Sequence, residues 1–136
     1  FGIQASRGKL LLTVRGEYEE ELKRLLGNLN RMARNLAERY GLDLDISYCD
    51  TFPNTVSHKA CNDKIRRICA ARGIPIREMP EPRCSSEDFG HYTKIIPGAF
   101  FEIGAGEDCP ELHTEGYDFP DAVMATAVEL YLDLIK

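Results

Sequence analysis

The sequence predicts an α/β protein, built as a β-α-β unit, a break, and a second run of helices and short strands. Three observations carry this. Apolar residues recur at steps of three and four over one long stretch, runs of strand length flank it, and clusters of Pro, Gly and Asn separate the runs.

Residues 10–15 (Leu-Leu-Leu-Thr-Val-Arg) read as the first strand. In the helix that follows, Leu22, Leu25, Leu26, Leu29, Met32, Ala33, Leu36, Ala37 and Tyr40 form one apolar stripe. Glu17, Glu19, Glu20 and Glu21 crowd its start and Arg31, Arg34 and Arg39 its later turns, which suits the helix dipole. Gly41 is placed to end it in the left-handed conformation. Residues 42–50 alternate Leu-Asp-Leu-Asp-Ile-Ser-Tyr, the pattern of a half-buried strand.

Thr51-Phe52-Pro53-Asn54-Thr55 breaks the pattern and is the best linker. A second helix is expected from about Val56 to Arg72, stopped by Gly73, and a short strand from Ile74 to Met79. After Pro80-Glu81-Pro82, Ser85 is expected to open a third helix, with Asp88 three residues on as its capping partner. Pro97-Gly98 turns into Ala99-Phe100-Phe101-Glu102-Ile103, which reads as a strand buried on both faces. The last helix is capped at Asp118 or Phe119 with Pro120 near its first position. Val123, Ala127, Leu130, Leu134 and Ile135 supply its buried stripe.

Composition narrows the function. Hydrophobic residues make up 43% and charged residues 29%, enough apolar material for a core. A net charge of −5 and a pI of about 5.2 argue against a binder of nucleic acid or anionic membrane. No apolar run approaches the roughly 20 residues of a membrane span. The chain opens Phe1-Gly2-Ile3 without an initiator Met, so we expect it to be cut from a longer one.

The five cysteines form no C-x-x-C pair, and their number is odd. That speaks against a disulfide framework and a cysteine-type zinc site. Cys61 and Cys69 share a helix face with Ile65 and Ile68, and read as reduced core residues of a cytoplasmic protein.

Of three histidines, His58 falls at a helix start and His91 on a helix, where capping or solvation accounts for them. His113 lies in a loop after a buried strand, where α/β sheets place ligands. One imidazole cannot build a zinc site, which needs three or four protein ligands. Ser85-Ser86-Glu87-Asp88-Phe89 reads either as a helix cap or as an anion site. Gly104-Ala105-Gly106 lacks the third glycine of a nucleotide loop.

The order of motifs is nonetheless distinctive. Ser86-Glu87-Asp88-Phe89, Pro97 through Gly104, Leu112-His113-Thr114 and Tyr117-Asp118-Phe119-Pro120-Asp121 together resemble the C-terminal end of the zinc-dependent aminoacylase and carboxypeptidase superfamily. The nearest branch looks like the N-acyl-amino-acid amidohydrolases, which include hippurate hydrolases. Leu11 through Arg15, the long helix, and Tyr48 through Val56 resemble the end of that family's lid, or dimerisation, domain.

The resemblance implies residues 1–53 as the second half of a lid and 54–136 as the last segment of a catalytic α/β domain. It implies His113 as the last metal ligand, and Ser85, Ser86 and Glu87 as a loop beside the substrate. The branch usually has Gly where Ser85 stands. Arg15 matches an arginine that, in some members, holds a substrate carboxylate. No catalytic residue falls in this chain, because the other ligands and the general base belong upstream. The intact enzyme would hydrolyse the amide bond of an N-acyl amino acid or small peptide with zinc or another divalent metal pair. This chain alone would bind none and be inactive. A dipeptidase or carboxypeptidase, and a non-catalytic association module, remain as alternatives. Homo-oligomers are expected through the lid unit: with an intervening lid strand missing, residues 10–15 and 42–50 either pair with a second copy or close on each other, the alternative being a monomer whose residues 1–15 fold back as the missing strand.

Overall fold

The computed structural model describes residues 5–136, so the first four residues of the 1–53 segment lie outside the described residues. Four helices form: α1 (Glu19–Tyr40), α2 (Lys59–Arg72), α3 (Gly90–Thr93) and α4 (Ala122–Leu134). No β-strand occurs among the described residues, and 10–15, 42–50, 74–79 and 99–103 lie outside regular structure. A helix satisfies its backbone within itself, whereas a strand needs a neighbour at a fixed register. Local sequence therefore suffices for the first and not for the second.

The chain divides into two compact units. One takes in the chain up to Asn54 together with Pro82–Ser86, the other Thr55–Glu81 with Glu87–Lys136.

In the first unit, α1 begins with Glu19, Glu20 and Glu21 and ends with Arg39, the charge order its dipole favours. Gly41 closes it at φ 62°, with the amide of Leu42 donating to the carbonyl of Ala37 at 2.9 Å. The apolar stripe divides lengthwise. Leu22, Leu26, Leu29 and Ala33 are half-buried and Ala37 is buried, while Leu25, Met32, Leu36 and Tyr40 are exposed. The amide of Asn30 donates to the Tyr48 hydroxyl, tying the alternating segment 42–50 to the helix.

In the second unit α2 packs on α4. Cys69 and Leu130, 4% and 3% exposed, are its buried centre, and Cys61, Ile65 and Ile68 are half-buried on the same side of α2. All five cysteines are free thiols. Arg72 reaches across to both Glu129 and Asp133, and Lys64 Nζ donates to the carbonyl of Leu134 at 2.6 Å. That lysine sits on a carbonyl left open at the end of α4. Gly73 ends α2 in the left-handed region, at φ 66°.

Residues 57–58 and 98–100 hold each other. The His58 amide donates to Gly98 at 2.7 Å, and Ser57 Oγ accepts from the Phe100 amide at 3.0 Å. Phe89 stacks at a tilt on Phe100, and Phe101 on Tyr131, each at 5.7 Å.

Two expectations about helix starts are corrected. Ser85 opens no helix: α3 has four residues, and its first turn is closed by the carbonyls of Asp88 and Phe89, which accept from His91 and Tyr92 at 2.9 and 3.0 Å. α4 starts later than expected, with Asp121 as cap and the carbonyl of Pro120 accepting from Val123. Proline lacks a donor and suits the position before the first turn as well as one inside it.

Candidate functional site

His113 stands in a turn rather than on an element. The Thr114 amide and the Thr114 hydroxyl both donate to the carbonyl of Glu111, at 3.3 and 2.7 Å. Residues 111–114 thus close on themselves, with His113 at the third position. Its φ is 68°, while Leu112 keeps a negative φ. A positive φ confined to the third position is the type II pattern, which favours Gly or Asn there. A histidine in this place stores roughly 1 kcal/mol or more of backbone strain. The side chain is exposed, so no packing explains why an imidazole is kept there. Sequence reasoning found the residue but not its strain; the signal missed was Glu111-Leu112-His113-Thr114 read as a turn.

Arg15 and Ser86 come together within the first unit. Arg15 Nε donates to Ser86 Oγ at 3.5 Å, a long bond between exposed groups. Ser85 is exposed beside it in sequence, with no helix start to make an anion site there. Glu87 is half-buried and belongs to the second unit.

Among the described residues, no three His, Cys, Asp or Glu side chains are grouped so as to hold a metal ion. His113 is one donor where zinc takes three or four. The described residues alone therefore do not supply the donors of a divalent metal pair.

The peptidase family M20/M25/M40 matches residues 6–136. The uncharacterized hydrolase SH1513 of Staphylococcus haemolyticus (strain JCSC1435) is 22% identical over 136 residues, which cover 96% of this chain. The chain spans 36% of the length of that relative. No solved structure matches the present chain significantly. No helix among the described residues is long and apolar enough to cross a membrane.

Proposed function

The chain belongs to the peptidase family M20/M25/M40, and on that basis we propose that it is part of a longer metal-dependent hydrolase that cleaves the amide bond of N-acyl amino acids. The observation that carries this reading is the family match over nearly the whole chain, with the strained Leu112-His113 turn inside it. His113 supplies one metal ligand, and the remaining ligands and the general base come from outside these residues. The relative's greater length leaves room for them. Arg15, Ser85, Ser86 and Glu87 contact the substrate. Residues up to 53 act as a lid unit of β-α-β type, and 54–136 as catalytic-domain structure, with strands completed by neighbours. Five free thiols suit a reducing, cytoplasmic compartment.

Metal analysis and an amidase assay of the longer protein, beside the 136-residue chain, test the proposal. The longer protein is expected to retain metal after dialysis and to hydrolyse N-acyl amino acids. The short chain should do neither. Preference for dipeptides would favour the peptidase alternative of the same superfamily. A longer protein with neither metal nor turnover would leave a non-catalytic association module. Stoichiometric zinc held by one copy of the short chain would overturn the assignment of ligands.

A further inference from the structure

Residues 109–117 hold their shape without a core around them. Cys109 and Tyr117 are half-buried at the two ends, and every residue between them is exposed. Two turns fill the gap and share Thr114. The first, 111–114, closes through the Thr114 amide and hydroxyl, both donating to the Glu111 carbonyl. The second, 114–117, closes through the Tyr117 amide, which donates to the Thr114 carbonyl at 3.1 Å. Of the two bonds that close the first turn, the hydroxyl's is the shorter, 2.7 Å against 3.3 Å. A hydroxyl reaching back to the carbonyl three residues earlier is a local bond that threonine, stiff about χ1, makes at small entropic cost.

His113 sits inside that first turn with φ 68°. Among the described residues no hydrogen bond or ion pair holds its imidazole, and the side chain is exposed. The direction of the ring is therefore set by the backbone beneath it. Returning φ to the negative values that histidine prefers would re-aim the Cα–Cβ bond relative to the chain on either side. The left-handed conformation is disfavoured for histidine, and a net hydrogen bond shifts a local equilibrium by roughly two- to tenfold. The two effects are of the same order, so the Thr114 hydroxyl is enough to decide which conformation is populated.

We propose that Thr114 is a positioning residue: its hydroxyl holds the turn in which His113 is left-handed, and so aims the imidazole. What the imidazole is aimed for rests on the hydrolase reading; the hold itself does not.

A left-handed residue brings its amide proton close to its own Hα, which gives a strong nuclear Overhauser cross-peak between the two. The test measures that peak at His113 in the ¹⁵N-labelled 136-residue chain, where it should be strong. Thr114→Val keeps the side-chain shape and loses the hydroxyl, and the left-handed population relative to the extended one should fall about two- to tenfold. Thr114→Ser should keep it, and circular dichroism should show the same helicity in all three. A weak peak in the unaltered chain, an unchanged peak in Thr114→Val, or an equal loss in Thr114→Ser would each overturn the inference. In the longer protein Thr114→Val should lower kcat and the affinity for added zinc about tenfold, with KM unchanged, and Thr114→Ser should restore both. A threonine with only a structural part would move the unfolding temperature and leave those two alone. Turnover and zinc affinity untouched by Thr114→Val, with the His113 peak lost, defeat the positioning role and leave the hydrolase reading standing. A longer protein with neither metal nor turnover, whose His113 peak still depends on the hydroxyl, defeats the hydrolase reading and leaves the hold of Thr114 on His113 standing.

Discussion

At His113 the backbone carries information that the residue name does not. The turn at 111–114 closes through Thr114, and it would be less strained with Asn in the third position. His113→Asn is therefore expected to leave the chain as stable as before or firmer by about 0.5–1 kcal/mol, the strain being relieved. In the longer protein the same change should remove most activity. Denaturant unfolding and an amidase assay on the same variant check both halves; a variant that is less stable and fully active would sink the assignment. Gly41 gives the converse case. Its φ of 62° is relaxed for glycine alone, and a methyl group there would meet open space. Gly41→Ala should cost about 1 kcal/mol through the backbone, and thermal unfolding would read it.

Among the elements, the pairing of α2 with α4 is the best defined. Arg72 is the link, bonded to Glu129 and Asp133 together, and Lys136 meets Asp133 at 2.7 Å. The hydrogen bond from Arg72 first, and that from Lys136 second, hold the Asp133 carboxyl down at about 2. A carboxylate held below its ordinary value of 3.8 stabilises the folded state fully above that value. It loses the contribution as pH falls through its folded value. Helicity of the chain should therefore decline between about pH 4 and pH 2, and Asp133→Asn should flatten this part of the curve. An unchanged acid limb in that variant would show that the pair carries no linkage. Apolar packing contributes more to this pairing than the ion pairs do. Leu130, 3% exposed, should cost about 2–5 kcal/mol on replacement by Ala, through lost burial and the cavity left behind.

At the scale of the molecule, the first unit leaves large apolar residues exposed. On α1 they form a row, Leu25, Met32 and Leu36, and Leu42, Leu44 and Tyr48 of the same unit are exposed as well. Burying a leucine of this kind is worth about 1.5–3 kcal/mol. We propose that a second copy covers this row. Light scattering should show mass rising with concentration, and Leu25→Gln with Leu36→Gln should abolish the rise. A monomer at every concentration, with slow amide exchange over residues 10–15, would favour strands closed on one another.

Residue order alone was enough to specify the long helix, its charge polarity, the glycine stops at Gly41 and Gly73, and the shared face of Cys69 with Ile65 and Ile68. Each depends on contacts within a few residues along the chain, where period and capping chemistry are complete. The start of α3 was misplaced, because a Ser followed three residues later by Asp can cap a helix without there being one to cap. It took the folded chain to show which half of the α1 stripe is covered, and that Arg15 meets Ser86 across 71 positions of sequence. Those outcomes depend on partners distant in the chain, and a pattern of residues along one segment carries no information about what lies against it.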